Sequence, residues 1–137
     1  MLYKCIYFLV QNAGFAFKNS ALEPFHVQAE ETMKINFFGT LDMMKAFYPM
    51  IRENGRIVNV SSIRATDAQL GFDPIYGNPV CEILHSRNIS LEMSNLENLA
   101  HQFINDCKEG KNETVGWPKS AYATSKLFVN GITRVYS

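Results

Sequence analysis

The spacing of apolar positions shifts along this chain between continuous and helical, and those shifts outline its elements. Ile6-Tyr7-Phe8-Leu9-Val10 is an unbroken apolar run that stops at Gln11-Asn12-Ala13-Gly14. A short continuous run rich in β-formers predicts a strand buried on both faces, as in a parallel sheet. Gly14 then permits a sharp turn or the close approach of a ligand. After a loop with Phe17, Lys18, Asn19, Ser20 and Pro24, the pattern lengthens. Met33, Phe37, Leu41, Met44 and Tyr48 recur at steps of three and four. That stripe predicts one helix over about 27–51. Asn36 falls beside the stripe, where it reads either as an exposed polar residue or as an amide placed to fix a water or a backbone carbonyl. Asn54-Gly55 is expected to close the helix with a left-handed cap. Arg56-Ile57-Val58-Asn59-Val60-Ser61-Ser62 is the next strand. Strand, helix and strand at these lengths make a right-handed βαβ unit. Ligands bind beyond the carboxyl ends of the strands in such sheets. Asn12-Ala13-Gly14 and Ser61-Ser62 both fall on that rim.

Residues 63–116 form a long excursion. It opens irregularly, with Gly71, Pro74, Gly77 and Pro79, and then carries Leu96, Leu99, Phe103 and Cys107 at helical spacing. Ser94 with Glu97 fits a capping box, Ser90 is an alternative start, and Gly110 is the expected stop. Trp117-Pro118 lead to Ser120, an expected N-cap. The last helix holds Tyr122 and Lys126 near its start, followed by Phe128, Val129, Ile132 and Val135 for packing.

Composition narrows the function classes. The 137 residues, 47% hydrophobic and 19% charged, suit one small domain with one core. Thirteen basic and thirteen acidic side chains cancel. No basic surplus is left for nucleic acid or anionic lipid, so neither is an expected partner. The three cysteines, Cys5, Cys81 and Cys107, are odd in number and scattered, which suits a reducing compartment and predicts a cytoplasmic location. No apolar run reaches the length of a membrane span. His26, His85 and His101 lack metal-ligand spacing with one another or with the cysteines, so no metal site is expected. Cys107, on an apolar helix face, reads as core.

The chemistry gathers at the last helix. Residues four apart on a helix lie one above the other. The Lys126 ammonium is therefore expected close to the Tyr122 phenol, where it favours phenolate over phenol. Such a tyrosine can give a proton to an alkoxide forming on a carbonyl, or take one from an alcohol. Taken alone, such a pair is usually a half-buried tyrosine beside a solvated lysine.

Four features in order change that balance: Asn12-Ala13-Gly14 after a strand, Asn36 in the next helix, Val60-Ser61-Ser62 closing the next strand, and Tyr122-x-x-x-Lys126. Together they resemble the signature of the short-chain dehydrogenases/reductases. Asn36-Phe37-Phe38-Gly39-Thr40, Gly116-Trp117-Pro118 and the long gap between Ser62 and Tyr122 resemble the monomeric NADPH-dependent carbonyl reductases of that family. In that subgroup an extra helix, matched here at about 90–108, covers the surface that other members use to dimerise. The resemblance implies an α/β fold, a doubly wound parallel sheet of Rossmann type, and NADPH as cofactor. By position it makes Tyr122 the general acid, Lys126 its tuning charge and a holder of the nicotinamide ribose, and Ser62 the hydrogen-bond donor to the substrate carbonyl. It makes Asn36 the holder of a water linked to Lys126. Asn12, Ala13 and Gly14 would run beside the cofactor ribose, while Phe17, Lys18 and Gln28 would line the substrate cleft. A small carbonyl compound, a ketone, aldehyde or quinone, is the implied substrate.

Two departures qualify the match. Gln11 stands where the family has an asparagine. The family also opens with a strand and a Gly-x-x-x-Gly-x-Gly turn that grips the cofactor phosphates at a helix N-terminus, and no such stretch precedes Tyr7. The strands beyond the catalytic helix are missing too. The chain thus reads as the central part of a single Rossmann-type domain spanning 1–137, with a helical insert at about 63–116. A fragment of a carbonyl reductase is the first reading. The alternative is a catalytically silent truncated form that binds a partner through its exposed sheet edge. A Tyr-x-x-x-Lys epimerase or dehydratase leaves Gly116-Trp117-Pro118 and the inserted helix unexplained.

Overall fold

The computed structural model describes residues 5–66 and 91–137. The irregular opening of the 63–116 excursion, with Cys81, His85 and Ser90, lies largely outside them. Strand β1, Ile6–Gln11, pairs in parallel with β2, Ile51–Asn59. Between them run α1, Phe25–Met33, a five-residue π-helical segment over Lys34–Phe38, and α2, Gly39–Phe47. Helix α3 covers Met93–Lys108 and α4 covers Ala121–Val135.

The helical stripe holds for Met33, Phe37, Leu41 and Met44, all buried, and fails at Tyr48. Pro49 explains the failure. It lacks an amide hydrogen and clashes with the preceding turn, so α2 ends at Phe47 and a short 3-10 turn, Tyr48–Met50, carries the chain into β2. Tyr48 is half exposed and packs its ring 4.8 Å from that of Tyr136. Asn54 does take the left-handed conformation (φ 62°), but it caps no helix. It sits in an irregularity of β2, where the pairing jumps from Ile6↔Ile51 to Phe8↔Arg56 and leaves extra residues on β2 alone.

The other helix ends follow local chemistry. The Ser120 hydroxyl accepts the Ala123 amide at 3.2 Å and caps α4. Gly110, with φ +69°, turns the chain out of α3, and the Lys111 amide then reaches the Asp106 carbonyl at 2.8 Å. The expected capping box does not form. Helix α3 starts at Met93 behind Glu92, which places Ser94 inside the first turn. Glu97 instead meets Lys45 of α2 at 2.9 Å.

One core joins these pieces. Phe37 of the π segment stacks edge-on against Phe128 of α4 at 5.3 Å, and Phe103 of α3 lies 5.0 Å from Trp117. Leu96, Ala100 and Cys107 complete the α3 contribution. Burial and the neighbouring Asp106 push the Cys107 thiol up to about 12, so it is a packing group rather than a nucleophile. The sheet offers Leu9 and Ile57 to this core. Its other face is bare: Phe8 is 71% exposed, Val10 58% and Val58 47%. The strand expected to be covered on both sides is therefore covered on one among the described residues, because all the described helices lie on the Leu9 and Ile57 side.

Candidate active site

The carboxyl ends of β1 and β2 lie side by side, with the Val60 amide bonded to the Gln11 carbonyl at 2.9 Å. Beyond them β1 runs into the loop 12–16 and β2 into Ser61 and Ser62. The start of α4 faces both, so three separate stretches meet at one rim.

Lys126 is almost fully buried, a costly position for an ammonium unless it is bonded. Its Nζ donates to the Val60 carbonyl at 2.9 Å and lies 5.9 Å from the centre of the Tyr122 ring. Gly14 closes the other side. A Cβ at that position would sit 3.3 Å from Lys126 Nζ and 3.4 Å from Asn36 Oδ1, so a side chain there would crowd both. The Ser61 hydroxyl donates to the Lys126 carbonyl at 3.0 Å and ties the helix to the end of β2. Ser62 plays no such part. Its oxygen accepts the Arg64 amide at 3.2 Å, and its own proton goes to no protein group among the described residues.

Asn36 is fully buried, so the exposed reading of this residue fails. Its Oδ1 accepts the Phe15 amide at 2.7 Å, and its Nδ2 donates to the Phe15 carbonyl at 2.8 Å and to Ser125 Oγ at 2.9 Å. Both amide hydrogens are engaged. For a water, the Asn36 amide keeps one lone pair of Oδ1. The π-helical segment aims the amide inward, since one extra residue in the turn rotates the positions around it.

Two hollows flank Tyr122. A groove of about 280 Å³ is walled by Asn12, Gly14, Phe15, Ala16, Val60, Ser61, Tyr122 and Lys126. A second hollow, a cleft of about 510 Å³, has Phe17, Lys18, Gln28, Arg64 and Lys119 among its walls. Tyr122 borders both. Of the residues singled out from sequence, Asn12, Gly14, Tyr122 and Lys126 share the groove, Phe17, Lys18 and Gln28 share the cleft, and Asn36 lies beneath the loop between them. Ala13 instead borders a smaller hollow of about 270 Å³ with Gln11 and Thr40. Sequence reading passed over Ser61 as distinct from Ser62, and it passed over Ser125. The signal for Ser125 was present, three residues after Tyr122 on the same helix, where a hydroxyl reaches back to the carbonyl of the preceding turn. Among the described residues no group of acidic, histidine and cysteine side chains could hold a metal ion.

The family model for short chain dehydrogenase matches residues 2–77. The chain belongs to the short-chain dehydrogenase family. It is 41% identical over 129 residues to carbonyl reductase (NADPH) 1 of Homo sapiens and 43% identical over 129 residues to that of Rattus norvegicus, covering 94% of this chain and 44% of each relative. Carbonyl reductase (NADPH) 3 of Rattus norvegicus is 38% identical over 128 residues. The chain thus spans less than half the length of these relatives. Among solved structures, salutaridine reductase from Papaver somniferum superposes with a TM-score of 0.75 at 26% identity, over 94% of this chain and 53% of its own. Menthone neomenthol reductase from Mentha piperita, 23% identical over 94% of this chain and 55% of its own, shares the fold with a TM-score of 0.73. The partial Rossmann-like architecture, a parallel strand pair with several helices among the described residues, fits the family's fold.

Proposed function

We propose that this chain carries the catalytic centre of an NADPH-dependent carbonyl reductase acting on ketone, aldehyde or quinone carbonyls. The observation that carries the reading is that Tyr122 lines two hollows, one shared with Lys126, Asn12 and Gly14, the other with Phe17, Lys18 and Gln28. A proton donor for carbonyl reduction has to face cofactor and substrate together. NADPH supplies the hydride when bound. The groove suits the nicotinamide ribose end of that cofactor, since a sugar hydroxyl can accept from the Lys126 ammonium. Gly14 and Asn12 border it at backbone level, and Ala13 continues the loop.

In this reading the substrate enters the 510 Å³ cleft. Ser62 is not among the walls of either hollow, but its proton meets no protein group among the described residues; in this reading it donates that proton to the carbonyl oxygen and steadies the charge that develops there. The Tyr122 hydroxyl protonates that oxygen as hydride reaches carbon. Lys126 supplies the positive charge beside the phenol, and Asn36 holds the Phe15 backbone and a water leading to Lys126. Helix α3, packed on α1 and α4, accounts for a monomer, and the odd cysteine count for a cytoplasmic home.

Reduction of menadione, followed as loss of NADPH absorbance, tests the proposal. Tyr122→Phe should lower the rate by roughly 10²- to 10⁴-fold, the usual worth of a positioned acid. An unchanged rate in that variant overturns the assignment. The sheet has two strands among the described residues, each with one unpaired edge, and this favours a second reading in which the chain is silent and binds a partner through its sheet edge. No turnover together with a stable hetero-complex supports that one.

A further inference from the structure

The least expected contact in the centre is a hydroxyl. Ser125 is fully buried beneath the start of α4. Its Oγ donates to the Tyr122 carbonyl at 2.7 Å and accepts from Asn36 Nδ2 at 2.9 Å. The donor direction follows: the carbonyl has no proton to give, so the serine proton points back along α4. Only the serine lone pairs then face Asn36, and they can take only its amide N–H. This fixes which end of the Asn36 amide faces α4. The other amide hydrogen and Oδ1 are left in register with the carbonyl and amide of Phe15, at 2.8 and 2.7 Å. The hydroxyl and the two Phe15 backbone groups thus require the same orientation of the amide that grips the loop after Gly14, and among the described residues the hydroxyl is the one anchor of that amide outside the loop.

We infer that Ser125 is a positioning residue: through Asn36 it holds the Gly14–Phe15 loop over the Lys126 ammonium. The loop leaves little slack there, since a Cβ at Gly14 would already press on Lys126 Nζ and Asn36 Oδ1. A released amide can rotate, and both backbone bonds to Phe15 then lose their partner together. The inference rests on the reading of Tyr122 and Lys126 as reductase groups only where it predicts a rate. Its structural part stands apart from that reading.

Amide hydrogen exchange of the full chain, read residue by residue, separates the two parts. Ser125→Ala leaves a buried N–H of Asn36 without an acceptor, which should raise exchange of the Phe15 amide by roughly ten- to a hundredfold. Exchange in the core of α3, from Leu96 to Cys107, should stay unchanged. Ser125→Thr keeps the hydroxyl and should restore the Phe15 amide. A uniform rise across the chain, a Phe15 amide as protected in Ser125→Ala as in the parent, or no rescue by threonine overturns the inference. In the menadione assay at saturating NADPH, Ser125→Ala should lower kcat with KM for the quinone unchanged, and Ser125→Thr should recover it. An unchanged kcat beside a released Phe15 amide overturns the catalytic part. A parent chain without turnover counts against the reductase reading, and the exchange result still decides the role of Ser125.

Discussion

At Gly14 the clearance around the ammonium is measured in tenths of an ångström. Replacing it by alanine puts a Cβ 3.3 Å from Lys126 Nζ, tighter than an ordinary contact, and the flexible end of a lysine is what would yield. Gly14→Ala should therefore cost under about 1 kcal/mol of stability, as a mutation relieved by a side-chain shift does. On the proposed reductase reading it should lower menadione reduction by about tenfold, because a small displacement of a group beside the reacting atoms is expensive in rate. A thermal melt beside the rate assay checks both. A large loss of stability with the rate per folded molecule unchanged would show that the loop, rather than the lysine, gave way. The same scale shows how far individual residues could be read from sequence. Tyr122 and Lys126 were legible because four-residue spacing on a helix fixes their relation. The partners of Asn36 were not, since its bonds to Phe15 and Ser125 span 21 and 89 positions and no local pattern encodes them.

Among the elements, α3 offers a test of pH response. Cys107 faces the core, and burial together with Asp106 raises its thiol from 9.0 to about 12. Below pH 9 the group is protonated whether the chain is folded or not, and it contributes no slope. Above pH 9 the unfolded chain loses this proton while the folded chain keeps it, so stability must fall as pH rises toward about 12. Urea midpoints at pH 8 and pH 11 should show a smaller alkaline loss in Cys107→Ala than in the parent; equal losses would mean the thiol ionises freely in the folded state. The helices were largely legible: an apolar stripe places α1 and α2, Ser120 starts α4, and Gly110 ends α3. What escaped was the interruption. A π-helical segment leaves no mark in apolar spacing, because Met33 before it, Phe37 within it and Leu41 after it stay four apart, and Asn36 is driven inward from a position that periodicity left at the margin. The boundary at Phe47 was missed because Pro49 outweighed a stripe that ran on to Tyr48.

For the molecule as a whole, the sheet decides behaviour. Among the described residues the sheet has two strands, marginal support for a fold, and Phe8, Val10 and Val58 present an exposed apolar patch. The chain should bind a hydrophobic dye such as ANS and scatter light increasingly with concentration. Val10→Thr with Val58→Thr, on paired positions of that face, should reduce both effects at a cost of under about 1 kcal/mol, as substitutions at exposed positions do. A collapse of the melt in that double variant would mean the face is already covered. The continuous run in β1 had signalled two-sided burial, and it was correct about the kind of sheet to which such a strand is suited. It could not say how many of the covering layers this chain supplies, because composition along a strand records the environment it fits and is silent on who provides it. For anyone using directed evolution to seek reductase activity in this chain, solubility will be the first trait to respond. Gains at the reacting groups stay invisible while molecules are lost to precipitation, and early rounds will enrich changes on a surface that never meets the substrate.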